Sequence, residues 1–162
     1  MSAQEEIFRN NLSNIFPEVV FVNDEYVPLH AKESRIDHVL LHSKNNKFVL
    51  IEYKKRQGRD PINQILNYRR LLAQEKANFY VFKDLFYETT KLPSARAGIW
   101  GKFTEDWWKK NLILACIAPV NFFTKDQIGV SEENNIILIE AQRSMAMVFI
   151  MWSFVKKKIK IC

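Results

Sequence analysis

Three residues near the middle of the chain have types and spacing suited to chemistry: Asp37, within Arg35-Ile36-Asp37, and Glu52 and Lys54, within Glu52-Tyr53-Lys54. The apolar runs Val39-Leu40-Leu41 and Phe48-Val49-Leu50-Ile51 flank Asn45-Asn46, which tolerate the positive φ of a tight turn, so 34–54 reads as a β-hairpin. Both runs are continuously apolar, as in strands buried on both faces, and charges at their ends need a partner or a role. A two-residue turn at Asn45-Asn46 places Asp37 across from Lys54 and Val39 across from Glu52. Side chains alternate with period two, so Glu52 and Lys54 share a face in any register, and Asp37 converges on them.

Two carboxylates at one strand end make a hard-oxygen site suited to Mg²⁺, which takes one or two protein carboxylates, several waters and a substrate phosphate. Such an ion polarises a phosphoryl oxygen and lowers the pKa of a bound water, while a neighbouring ammonium such as Lys54 orients that water or offsets developing charge. That is the chemistry of phosphodiester hydrolysis. The plainer reading of the same residues is a structural Asp37–Lys54 ion pair with Glu52 as a solvated neighbour.

The elements that must hold these residues follow from the flanking sequence. Ile7, Phe8, Leu12, Ile15 and Phe16 recur at helical spacing before Pro17, predicting a helix over 3–16 with Glu5 and Glu6 in its first turn. Either glutamate could complement the helix dipole or supply a third carboxylate, and Glu25, after a short strand at 19–22, is a further candidate. Residues 28–33 read as a loop. After Lys54 comes the basic loop Lys55-Arg56-Gln57-Gly58-Arg59, then Asp60-Pro61 as N-cap and N1 of a helix running to about residue 75. Ile62, Ile65, Leu66, Leu72 and Ala73 form its apolar stripe, and Gln64, Tyr68 and Leu71 share a neighbouring face.

Arg35-Ile36-Asp37, a strand ending in Glu52-Tyr53-Lys54 and a helix carrying Gln64-x-x-x-Tyr68 together resemble the PD-(D/E)xK nuclease superfamily, and the Gln-x-x-x-Tyr spacing is similar to its RecB-type branch. The motifs cover about residues 34–85. The resemblance implies a restriction-endonuclease-like α/β core, a mixed central sheet flanked by helices. It further implies Asp37 and Glu52 as metal-binding carboxylates, with the Tyr53 carbonyl and a helix-borne glutamate, Glu6 before Glu5 or Glu25, as further ligands. Lys54 becomes the catalytic lysine, and Gln64 and Tyr68 line the DNA side of the site. The implied cofactor is Mg²⁺, with Mn²⁺ as substitute, and the implied reaction cuts DNA to leave a 5′-phosphate. Lys55, Arg56, Arg59, Arg69 and Arg70 would hold the substrate backbone.

Further along, 77–82 reads as a strand pairing in parallel with 48–54, and 85–101 as a surface loop. Phe103, Trp107 and Trp108 beside Lys102, Lys109 and Lys110 could stack bases, but a helix near 104–110 packed on the sheet explains them better. Strands are expected at 112–118, 136–141 and 145–154, with a short helix at 124–130. The run Met145–Val155 is too short to span a bilayer, which takes roughly 20 apolar residues. Lys156, Lys157, Lys158 and Lys160 read as a solvated basic tail that could also meet a phosphate backbone.

At 162 residues, 48% of them hydrophobic, the chain suits a single domain over 1–162. A net charge of +6 favours a polyanionic partner. Cys116 and Cys162 offer no ligand spacing, and the start carries no secretory signal, which fits a reducing cytoplasm. His30, His38 and His42 do not converge with further ligands and read as structural or surface residues. A P-loop, a dinucleotide glycine fingerprint and a Gly-x-Ser-x-Gly elbow are absent, so neither a nucleotide cofactor nor serine-hydrolase chemistry is expected. A homodimer would suit a two-stranded substrate, with the apolar C-terminal strands as an interface. A catalytically silent nucleic-acid-binding module and a protein-interaction subunit are the competing functional classes.

Overall fold

The computed structural model describes residues 16, 18–29, 31, 34–54, 58–91 and 104–141. One sheet holds five strands in chain order: β1 (Val19–Tyr26), β2 (Ile36–His42), β3 (Lys47–Tyr53), β4 (Leu112–Pro119) and β5 (Ile136–Ala141). The β1–β2 and β2–β3 pairs are antiparallel, and β3–β4 and β4–β5 are parallel. Parallel neighbours require crossovers. Helices α1 (Pro61–Gln74), α2 (Lys76–Thr90) and α3 (Glu105–Asn111) occur between β3 and β4, and α4 (Lys125–Glu133) between β4 and β5. The architecture is α/β with a mixed sheet flanked by helices, as expected.

The apolar runs of the hairpin are buried on both faces. Val39, Leu41, Phe48 and Leu50 join a core with Ile65, Leu72, Phe82 and Trp108 of the helices, whereas Leu40, Val49, Ile51 and Tyr53 pack with Ala115, Ile117 and Ile139, against Phe16. Glu52 and Asp37 follow the parity of the first set, so they rise on the α1 side of the sheet.

The turn takes four residues, 43–46, where two were expected. Asn46 adopts φ 56° and donates its backbone N–H to the His42 carbonyl at 2.9 Å, and Asn45 Oδ1 accepts from the Lys47 N–H at 3.1 Å. His42 therefore pairs with Lys47 and His38 with Ile51, which puts Asp37 level with Glu52 instead of Lys54. The correction is a shift of two residues. Because strand parity is also two, the shared face survives it.

The expected strand at 77–82 is instead part of α2, so the parallel partner of β3 is β4. Phe79, Phe82 and Phe86 are buried at helical spacing, and Phe82 meets Tyr26, Phe48 and Trp108 edge-to-face with ring centroids 4.8–5.2 Å apart. Only Glu75, extended at φ −114° and ψ 108°, separates α1 from α2. Residues 85–90, expected in a loop, complete α2, which Lys91 ends in a left-handed cap. Trp107 and Trp108 of α3 are buried in the core, so they pack and do not stack bases. Of the expected helix at 3–16 only Phe16 is described; residues 3–15, His30, Lys102, Phe103, the rest of the loop to 101, the strand at 145–154, the lysine tail and Cys162 lie outside the described residues.

Asn78 is wholly buried, and its Oδ1 accepts from the Tyr26 hydroxyl at 3.2 Å and the Leu29 N–H at 3.0 Å, tying α2 to the chain that leads into β2. Replacing it leaves two donors without an acceptor. Asn78→Ala is expected to cost about 2–3 kcal/mol in urea unfolding, with the m-value unchanged.

Candidate active site at the end of β3

The C-terminal ends of β3, β4 and β5, the N-terminal end of β2 and the starts of α1 and α4 meet at one edge of the sheet. Asp37 Oδ2 accepts the backbone N–H of Tyr53 at 2.7 Å, which fastens the carboxylate of β2 to the last residue of β3. Lys54 lies just beyond β3, yet its N–H still reaches the Ile117 carbonyl at 2.8 Å, so its backbone is held in line with the strand. Its side chain is mostly buried, with 17% exposed.

From there one chain of hydrogen bonds links sheet to helix. Lys54 Nζ donates to Glu52 Oε1 at 2.6 Å and to Gln64 Oε1 at 2.7 Å. An ammonium can only donate, so Gln64 turns its carbonyl to Lys54 and its amide nitrogen to Tyr68, whose hydroxyl accepts at 2.5 Å. Tyr68 has one hydrogen and two acceptors within reach, the Arg35 carbonyl at 2.5 Å and Glu52 Oε2 at 3.0 Å. The shorter contact takes the hydrogen best. Glu52 Oε2 is left with the weaker share of that hydrogen.

Burial, and after it the Asp37 charge, raise the Glu52 carboxyl from 4.5 to about 7, outweighing Lys54 and Tyr68, which lower it. Burial, with Glu52 behind it, also pushes the Tyr68 phenol well above its ordinary value. Cys116 sits level with Glu52 on β4, and its Sγ approaches the Pro61 carbonyl at 3.5 Å. Burial and then Glu52 hold that thiol protonated, so it acts as filler.

The start of α1 is set by a cap that also reaches α4. Asp60 Oδ1 accepts from the Ile62 N–H at 2.9 Å and from Gln127 Nε2 at 3.0 Å. Gln127 belongs to the capping box of α4 with Thr124. Asp60 and Gln127 thus fix where Gln64 begins its reach, as the Arg35 carbonyl fixes Tyr68. Asp60 was expected only as a helix cap, and Gln127 and the Arg35 carbonyl carried no motif signal.

The fold therefore brings Asp37, Glu52, Lys54, Gln64 and Tyr68 together. The Tyr53 side chain goes to the opposite face, where its ring lies edge-on to buried His38 at 5.1 Å. Glu25 stands near Asp37 in the β1–β2 register, but its carboxylate is engaged by Arg35 at 3.1 Å, with both side chains about half exposed. Glu5, Glu6, Lys55 and Arg56 lie outside the described residues. Arg59 is exposed after the basic loop, whereas Arg69 and Arg70 line a separate cavity between α1 and α3. Among the described residues no third His, Cys, Asp or Glu joins Asp37 and Glu52. Two carboxylates facing one ammonium leave an excess negative charge, which adds to burial in raising Glu52, so the donor set fits a hard divalent cation.

In chelator, protonated Glu52 favours the folded state. That contribution is full below pH 4.5 and is lost as pH rises through about 7. Relative to Glu52→Gln, the wild type should lose roughly 3 kcal/mol between pH 4.5 and 8. Urea titrations of both proteins across that range measure it, and a difference that does not move with pH contradicts the raised Glu52.

No family model matches the chain. An uncharacterised protein of Haemophilus influenzae is 28% identical over 118 residues, which are 73% of this chain and 35% of that protein; the chain thus spans about a third of the relative it matches. Among solved structures, EndoMS in complex with double-stranded DNA superposes with a TM-score of 0.52 at 12% identity, covering 87% of this chain and 44% of EndoMS. An XisH family protein from Nostoc punctiforme superposes with a TM-score of 0.47 at 12% identity, covering 91% of this chain and 96% of that one. The likeness to EndoMS is one of fold, and the fold is restriction-endonuclease-like.

Proposed function

We propose that the chain is a divalent-metal-dependent nuclease of the PD-(D/E)xK type that hydrolyses DNA phosphodiester bonds. The observation that carries this reading is Lys54 Nζ, held between Glu52 Oε1 at 2.6 Å and Gln64 Oε1 at 2.7 Å, beside a second carboxylate anchored at the same strand end. A structural ion pair would not need a helix glutamine and a buried tyrosine to steer it. The Gln64-x-x-x-Tyr68 spacing supports a RecB-like branch.

In this reading Asp37 and Glu52 hold Mg²⁺ or Mn²⁺, with the Tyr53 carbonyl and Glu6 as further ligands, or Glu5 or Glu25 in its place. The bound cation supplies Lewis acidity and a water of lowered pKa. Lys54 orients the attacking water and offsets charge building on the phosphoryl oxygens. Gln64 and Tyr68 keep Lys54 and Glu52 in place, and Lys55, Arg56 and Arg59 hold the substrate backbone. The bond from water to phosphorus forms as the bond to the leaving 3′-oxygen breaks, which yields a 5′-phosphate. A cytoplasmic setting and a homodimer on duplex DNA belong to the same reading.

A catalytically silent DNA-binding module is the second reading, favoured by the pairing of Glu25, the described candidate for a third carboxylate, with Arg35 at 3.1 Å. Supercoiled plasmid with Mg²⁺ or Mn²⁺ separates the two. The wild type should nick it, and Lys54→Ala should do so at least about 100-fold more slowly while binding DNA equally well in chelator. If both proteins bind DNA and both leave plasmid and single strands intact, the binding module is the correct reading. Tyr68→Phe should lower the nicking rate about tenfold or more with little change in DNA affinity, since the hydroxyl that steers Gln64 is gone while the ring still fills the core.

A further inference from the structure

We infer that the cavity between α1 and α3 is a second nucleic-acid contact, one that seats the phosphodiester backbone of a strand outside the cleft. The cavity is about 420 Å³, within the range of small-ligand sites. Leu66 and Ala73 give it an apolar floor, and Arg69, Arg70, Trp108 and Lys109 surround them. At 100° per residue, these α1 positions lie roughly half a turn round the helix from Gln64 and Tyr68, so the cavity is not part of the candidate active site.

Its polar groups are donors in excess. Arg69 is half-buried and makes no hydrogen bond or ion pair among the described residues. Trp108 is wholly buried, so it backs the cavity as apolar packing and its indole N–H is closed off from it. Arg70 gives Nε and one Nη to Asn67 Oδ1, at 3.2 and 2.7 Å, which leaves guanidinium hydrogens to spare. Against these stands one lining carboxylate, Asp106, 3.6 Å from Lys109. A half-buried guanidinium with no partner among the described residues calls for an acceptor-rich anion, and the planar forks of two arginines match phosphate oxygens. The chain's charge of +6 favours a strand carrying many phosphates over an isolated anion. The assignment rests on nucleic acid being the partner, as proposed above.

Anisotropy of a labelled single-stranded 20-mer in chelator tests it, since nothing is cut. Substituting Arg69→Gln, Arg70→Gln and Lys109→Gln together should weaken binding at least about tenfold and make the log–log salt slope shallower by about 2. Lys109→Gln alone, at an exposed position, should change the slope by about 0.7 with no change in thermal midpoint, which separates lost contacts from lost fold. Unchanged affinity and slope in the triple variant overturn the proposal. So does displacement of the 20-mer from the wild type by inorganic phosphate at equal phosphate concentration, which assigns a free-anion site. Displacement by polyglutamate at equal charge assigns an acidic protein partner and likewise overturns it. Plasmid nicking is scored separately. A protein that binds through this cavity and never nicks loses the nuclease reading and keeps this one; a protein that nicks with unaltered affinity in the triple variant does the reverse.

Discussion

Glu52 is a carboxylate pulled almost wholly out of water beside a second carboxylate, and much of the fold exists to make that tolerable. An ionised acid in such a place costs several kcal/mol unless it is paired and its lone pairs are met. Lys54 meets one oxygen and Tyr68 approaches the other. Burial comes first in raising the Glu52 carboxyl, and Asp37, its own oxygen held by the Tyr53 N–H, adds an excess of negative charge to it. The pocket relieves the excess by taking up a proton on Glu52. A cation would relieve it equally well, and proton and cation would then compete for the same oxygen.

This balance depends on a helix that starts in the right place. Gln64 reaches Lys54 only because α1 begins at Pro61, and it begins there because Asp60 caps it and Gln127 holds the cap from α4. The same glutamine closes the capping box of α4, so the two crossovers on either side of β4 are locked to each other at the edge where the site lies. On the far side of the pocket the Arg35 carbonyl, one residue before β2, takes the Tyr68 hydroxyl. Strand ends, helix starts and side chains are thereby bound into one unit. A loosened cap on α1 would reach the chemistry through Gln64 without touching a carboxylate.

How much of this was legible in the sequence differs by element. The hairpin, α1 with its Asp60-Pro61 start, and β4 announced themselves through apolar runs and caps; strand parity brought Asp37, Glu52 and Lys54 together, and the family resemblance added Gln64 and Tyr68, which share a helix face at i, i+4 spacing. Register was misplaced because a pair of asparagines resembles a two-residue turn, while only Asn46 takes the positive φ. α2 was missed because aromatic and β-branched residues at 79–82 read as a strand, and because one extended residue, Glu75, breaks the helices with neither glycine nor proline to mark it. What settles α2 is burial of Phe79, Phe82 and Phe86 against Trp107 and Trp108, a long-range contact that no local propensity encodes. The roles of Gln127 and the Arg35 carbonyl were invisible for a similar reason: a side-chain amide and a backbone oxygen acquire meaning only when the chain brings another element to them.

The distribution of charge gives these parts a common logic. The chain as a whole is basic, at +6, while the pocket at the end of β3 gathers two carboxylates around one lysine. A polyanion drawn by the whole molecule would be repelled by the pocket alone, so the pocket needs positive charge before a phosphate can enter it. Lys54 supplies only part of it, because two of its three ammonium N–H groups are held by Glu52 and Gln64. In the proposed reading the divalent ion supplies the rest, which makes the ion part of substrate binding as well as of hydrolysis. The arginines between α1 and α3 carry no such burden: their cavity has one lining carboxylate, already facing Lys109, and a phosphate could approach it without an intermediary.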